Sequence, residues 1–172
     1  MRTRTINIYK YDELSDRAKE AARDWWRQGA LDYDWYDCYY EDAARVGIKI
    51  TGFDTGRSCE ITGEFINSAE DTAEKILAEY GNGSDSLAAE ARHYQKTLAE
   101  FMATAEKDED GELATWALVA DKEDIDKDFL RAVLENYLVA LREEAEHLQS
   151  DEVAEETIVA NDYEFTENGK PA

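Results

Sequence analysis

Asp34, Asp37 and Glu41 stand at i, i+3 and i+7 within LDYDWYDCYYED, residues 31–42. On a helix this spacing puts three carboxylates on one face, with neighbouring Cβ atoms ~5–6 Å apart. That is the scale of successive phosphates along a nucleic-acid strand, whose path exceeds its ~3.4 Å axial rise. A rigid row of carboxylates therefore presents a field like a phosphate backbone, and attracts a basic groove built to hold DNA or RNA. Glu143, Glu144 and Glu146, followed by Asp151, Glu152, Glu155 and Glu156, extend the same chemistry. Arg142 is the one Lys or Arg beside that second set, and the Lys or Arg at i+4 that would neutralise such faces is largely missing.

Other chemistries find less support. KDEDGE resembles part of a calcium loop: with Gly111 at position six, Glu106, Asp108 and Asp110 take positions one, three and five. Position twelve is then Ala117, where a bidentate Glu is required, so a solvated acidic turn is the better reading. Carboxylate pairs such as Asp71/Glu74, Asp124/Asp128 and Glu143/Glu144 carry little information in a chain with 41 acids, because coincidental pairs are certain. No phosphate-binding glycine loop, nucleophile elbow, H-E-x-x-H or Cys/His ladder is present. His93 and His147 lie far apart and read as ordinary helix residues. Cys38 and Cys59 have no metal or redox spacing and read as reduced, partly buried thiols. These absences predict a protein with no cofactor, no metal and no catalytic residues.

Charge is the dominant property. The net charge is −22 over 172 residues, whereas a small domain needs only about 2 to 8 charges for solubility. The excess is uneven. Residues 1–60 hold 12 acids and 10 bases, a net of −2, so the remaining residues carry −20. Direct binding to DNA, RNA or an anionic membrane is disfavoured, and a basic partner is favoured. Adaptation to high salt would acidify the whole surface rather than one part of it. Aromatic content of 11% and hydrophobic content of 43% supply a core and argue against a disordered acidic tail. No apolar run approaches the ~18 residues of a membrane span, and the start, MRTRTINIYKYDELS, lacks a signal-peptide core, which predicts a cytoplasmic protein.

The elements that must hold these residues are legible as local patterns. Residues 3–11 alternate as a strand. Ser15 caps a helix to about Gln28, with Ala18, Ala21, Ala22 and Trp25 inward. A helix is expected from about Tyr33 to Val46, with Trp35, Tyr39, Ala43 and Val46 on one side and Asp34, Asp37 and Glu41 on the other. Residues 48–54 and 59–66 read as a hairpin. Helices follow from Ala69 to about Tyr80 with Ser68 as its cap, from about Leu87 to Ala105, and from about Lys122 to Leu148 with Asp121 as its cap. Ser150 caps a last helix, and residues 163–166 form a final strand. Strands and helices do not alternate, so the expected class is α+β: a small antiparallel sheet of the N-terminal strand, the hairpin and the C-terminal strand, packed against helices that include one long central helix. One domain is expected over residues 1–168, with 169–172 as a tail.

TRTINIYKYDELSDRAKEAARDWWR near the start and ETIVANDYEFTENGK near the end resemble a family of phage and prophage proteins often labelled "antitoxin of toxin–antitoxin stability system". The resemblance runs over most of the chain. It carries no catalytic motif and so transfers no site residues. It implies a viral or prophage setting, in which small acidic proteins commonly block host defence machinery such as CRISPR complexes and restriction enzymes. Charge and resemblance converge on a phage counter-defence inhibitor, of anti-CRISPR or anti-restriction type, binding a basic host protein that normally handles DNA or RNA. The expected contact residues are Asp34, Asp37, Glu41, Glu143, Glu144, Glu146, Asp151, Glu152, Glu155 and Glu156. Two other readings stand beside it: an antitoxin-like protein neutralising a toxin by direct binding, and a metal-dependent enzyme concealed among the acids.

Overall fold

Side-chain oxygens begin most of the helices, as their local sequences require. In the computed structural model, which describes residues 7–81, 83, 85–105, 107, 110–111 and 115–172, Ser15 accepts a hydrogen bond from the Ala18 amide at 3.4 Å to open α1 (Asp16–Arg27). Ser68 accepts from Asp71 at 3.2 Å to open α3 (Ala69–Tyr80), and Asp85 from Leu87 at 2.8 Å to open α4 (Ser86–Thr104). Ser150 does the same through Val153 at 3.3 Å for α6 (Asp151–Ala160). Each bond satisfies an amide that the first turn of a helix leaves without a partner.

The two remaining helices depart from the sequence reading. α2 is Asp37–Arg45, four residues shorter at its start than expected. The backbone ahead of it is spent on a tight turn, with the Trp35 amide donating to the Tyr33 carbonyl at 2.8 Å. The Tyr36 ring then packs against Tyr40 and Phe53, each at 5.3 Å between centroids. α5 runs from Trp116 to Leu148, starting earlier than Lys122. The Thr115 hydroxyl, 3.4 Å from the Leu118 amide, takes the position that Asp121 was expected to hold, and Asp121 lies inside the helix.

The described chain divides into two compact units, each with its own core. The terminal unit comprises residues 1–35 and 142–172. It joins β1 (Tyr9–Lys10) to β4 (Glu164–Phe165) in an antiparallel pair, with Tyr9 opposite Phe165 and Lys10 opposite Glu164. Its core gathers Tyr11, Leu14, Ala18, Ala22, Ile158 and Phe165. Residues 169–172 are part of it rather than a tail. The Thr166 amide donates to the Lys170 carbonyl at 2.8 Å and the Ala172 amide to the Glu164 carbonyl at 2.9 Å. Gly169 holds a φ of +74°, and a Cβ there would collide with the carbonyl oxygen of Ala18.

The middle unit comprises residues 36–141. β2 (Ile48–Asp54) and β3 (Glu60–Phe65) form the expected hairpin, with an irregularity between Ile50 and Gly52. Ile48, Ile50 and Val46 pack with Ala73 and Ile76 of α3 and with Val133, Leu134 and Tyr137 of α5. Phe129 stacks on Tyr94 of α4 at 4.4 Å between centroids. Gly47 closes α2 at φ +96° and its carbonyl accepts from both the Ile66 amide, at 2.8 Å, and the buried Thr72 hydroxyl, at 3.3 Å.

The class is thus α+β, with six α-helices among the described residues, one of them long, and two two-stranded antiparallel sheets. The single sheet expected from the sequence is replaced by these two pairs. Among the described residues β1 pairs with β4 and β2 with β3, and positions 3–6 of the expected N-terminal strand lie outside the described residues.

Candidate partner-binding surface

α6 sorts its acids by side. Asp151 and Glu155, one turn apart, face the arginines of α1. Arg27 pairs with Asp151, and Arg23 Nη1 lies 2.6 Å from Glu155 Oε1. The Tyr11 hydroxyl donates to the same Glu155 oxygen at 2.8 Å and accepts from Arg23 Nη1 at 3.0 Å. Arg27 Nε also donates to the Gln149 carbonyl at 3.0 Å. The Tyr11 hydroxyl, followed by Arg23, holds the Glu155 carboxyl below its ordinary value. Burial, then the bond to Glu155, pushes the Tyr11 phenol up to about 12. Glu152 and Glu156 are offset from this pair by ~100° around the helix. Both are exposed and neither forms an ion pair among the described residues. The clasp with α1 thus fixes the azimuth of α6 within the terminal unit and leaves a carboxylate pair one turn apart on its open side.

The other expected contacts divide similarly. At the end of α5, Glu143 and Glu146 are exposed, Glu144 is half-buried, and Glu146 approaches Arg142 at 3.6 Å. Asp37 and Glu41 are exposed one turn apart on α2, in the middle unit. Asp34 is exposed but precedes the helix, so the i, i+3, i+7 row is reduced to its last two members. Asp151 and Glu155 are paired within the chain, sharing Arg23 and Arg27 with Glu20 and Asp24 of α1, which makes them positioning groups for α6 rather than open acids.

Asp42 is the residue that sequence reasoning missed. It lies on the α2 stripe of Tyr39 and Val46, and a carboxylate on an apolar stripe was the available signal. Its Oδ1 accepts from the Tyr80 hydroxyl at 2.6 Å and its Oδ2 from the Tyr137 hydroxyl at 2.8 Å, while Arg45 pairs with it from the next turn. Burial opposes its ionisation, but the two hydroxyls and Arg45 outweigh burial and hold the carboxyl below its ordinary value. Burial and the Asp42 bond push Tyr80 up to about 12 and raise Tyr137 further. The group borders an open cleft of about 570 Å³ shared with Cys38, Leu87 and Asn136. Both shifts move away from neutrality, the reverse of the tuning that general acid–base catalysis needs. A second network repeats the design: the Tyr94 hydroxyl and Lys122 each reach Asp126 at 2.8 Å, and Lys122 also reaches Glu70 at 2.8 Å.

Cys38 and Cys59 are free and exposed, not partly buried: Cys38 sits in the first turn of α2, and Cys59 enters β3 from the hairpin loop at φ +48°. No cluster of three or more His, Cys, Asp or Glu among the described residues is placed to hold a metal ion. Of the calcium-like fragment, Glu106 and Asp108 lie outside the described residues, and Ala117 falls within α5. No helix among the described residues is long and apolar enough to cross a membrane. No family model, curated protein or solved structure matches the chain.

Proposed function

We propose that this chain is a phage-encoded counter-defence inhibitor of the anti-CRISPR or anti-restriction kind. It acts without catalysis, by occupying the basic groove of a host protein that handles DNA or RNA. The observation that carries this reading is the division of labour on α6. Asp151 and Glu155 are tied to Arg27 and Arg23, and Glu152 and Glu156 are left exposed without a cation among the described residues. Like charges at i, i+4 cost an isolated helix a few tenths of a kcal/mol, so an uncompensated pair on a fixed helix fits a surface kept for an outside cation. Asp37 and Glu41 on α2 offer a second such pair. The net charge of −22 provides long-range attraction toward a basic groove and repulsion from nucleic acid itself. The resemblance to phage and prophage proteins supports the viral setting, and the host bacterial cytoplasm is where such a target resides.

The test begins with capture of partners from a bacterial lysate on the tagged full-length chain at low salt. The expected partner binds DNA or RNA, is displaced from the chain by that nucleic acid, and is released as ionic strength rises past the point where the Debye length falls to a few Å. A partner indifferent to salt and to nucleic acid overturns the proposal and favours the antitoxin-like alternative, in which an apolar interface neutralises a toxin.

A further inference from the structure

In the terminal unit, the end of α1 and the loop after it form an aromatic cleft with a single carboxylate. Successive turns carry the chain back beside its own helix: the Gly29 amide donates to the Trp26 carbonyl at 3.1 Å, and the Asp32 amide to the Gly29 carbonyl at 3.2 Å. Trp25, Trp26, Asp32, Tyr33 and Tyr163 line a space of about 490 Å³. Trp25 and Tyr163 meet at 5.3 Å between centroids with their planes 83° apart, so two ring systems form a corner. Tyr33 is 57% and Tyr163 40% exposed, so both rings are open to a ligand from solvent. No Lys or Arg lines the cleft, and Asp32 forms no ion pair among the described residues.

We infer that this cleft is a receptor for an arginine side chain of a protein partner. An anion is excluded by Asp32 and by the charge of the whole chain. A neutral apolar group would bury the carboxylate without a partner, which is unfavourable. A cation satisfies both elements, with aromatic faces attracting it through their quadrupoles and the carboxylate neutralising it. Between the two basic side chains, guanidinium fits better. It is planar, weakly hydrated, stacks on rings and presents a fork that matches a carboxylate, whereas ammonium is a strongly hydrated point charge. The inference deepens the proposed basic partner and rests on that reading only for the source of the arginine. Affinity for guanidinium is measurable on the chain alone.

The experiment follows the tryptophan indole N–H resonances of the full-length chain during titration with N-acetyl-arginine amide. Trp25 and Trp26 should shift saturably while Trp116 does not. The citrulline analogue, which is neutral and nearly the same shape, should produce no saturable shift, and N-acetyl-lysine amide should bind several-fold more weakly. Asp32→Asn and Tyr33→Ala should each weaken arginine binding by about tenfold, the scale of a lost charge or ring contact, and Tyr33→Phe should bind as the parent does. Equal shifts with citrulline, equal affinity for lysine, uniform shifts of every tryptophan, or loss of binding in Tyr33→Phe would each overturn the assignment. Because no host protein is present, failure here leaves the salt-dependent capture result standing, and failure of that capture leaves this titration standing.

Discussion

Arg23 Nη1 lies 2.6 Å from Glu155 Oε1, joining α1 to α6 across 132 residues of sequence. The Arg23 side chain is largely buried, whereas Glu155 is nearly half exposed, so the pair lies between the surface regime, where ion pairs contribute little, and the buried regime, where breaking one is costly. Arg23→Ala also leaves the Tyr11 hydroxyl without one of its two partners. The expected loss is about 2 kcal/mol of unfolding free energy, read by urea denaturation. Tyr11→Phe should cost about 1 kcal/mol. Because both residues meet the same carboxylate oxygen, the double variant should lose less than the sum of the two single losses.

Asp42 is the corresponding element of the middle unit, and there the carboxylate is the shared partner. Asp42→Ala orphans two tyrosine hydroxyls, one of them on the buried Tyr137, and is expected to cost about 3 kcal/mol. Asp42→Asn retains an acceptor oxygen but loses the charge facing Arg45, and should cost about half as much. Denaturant midpoints of the two variants against the parent check the order. An alanine variant no worse than the asparagine one would mean that the hydroxyls find water instead.

These particular residues also mark how far local pattern reaches. Ser68 as a cap and residues 48–54 as a strand are decided by neighbours a few positions away, and both are where the sequence places them. At the start of α2 the Tyr36 ring packs against Phe53 of β2, a contact with another element, and Asp34 falls before the helix. The partners of Asp42 come from positions 80 and 137, and Gly169 closes onto Ala18. Periodicity sees none of these, because each depends on which distant segments share a core. Hence the elements were legible, while the two units, the engaged C-terminus and the inward carboxylates were not. The acids of α6 were legible as a set but not as two pairs with different roles, since that division is made by Arg23 and Arg27 on another helix.

Acid and base should each destabilise the chain through different groups. Asp42, Glu70 and Glu155 have folded-state pKa values below their ordinary ones. The unfolded chain therefore takes up protons first as pH falls, and the stability these groups contribute is present above the ordinary carboxyl range, about 4, and lost below it. Tyr11 and Tyr80 are raised to about 12, and Lys122 is raised as well. Their contribution is complete below their unfolded values, about 10, and is lost as pH climbs through the folded ones. Thermal melts across pH should show a plateau bounded by both losses. Near-ultraviolet absorbance should show Tyr11 and Tyr80 ionising well after the exposed tyrosines.

Gly169→Ala tests whether the last four residues are structural. The backbone there is left-handed, and a methyl group would meet the Ala18 carbonyl, so α1 or the C-terminal turn must move. Strain at such a position costs about 1–3 kcal/mol before any collision is counted. A Tm lowered by several degrees, with altered fluorescence of Trp25, which packs against the core of the terminal unit, is the expected result; an unchanged melt would return these residues to the status of a tail.

Glu156→Lys separates display from folding by the sign of its two effects. The new lysine would follow Glu152 by four positions, the favourable orientation for a helical ion pair, and would remove the like-charge repulsion between positions 152 and 156. Each effect is a few tenths of a kcal/mol, so the variant should be about 0.5 kcal/mol more stable than the parent. The same change removes one exposed carboxylate and places a cation beside the other, which should weaken a charge-driven complex by tenfold or more and flatten its salt dependence. Loss of the proposed complex in a chain that has become more stable cannot be assigned to unfolding. If the variant is stabilised as expected and still binds the proposed basic partner at parental strength, α6 is not the contacting face, and Asp37 and Glu41 on α2 become the pair to reverse.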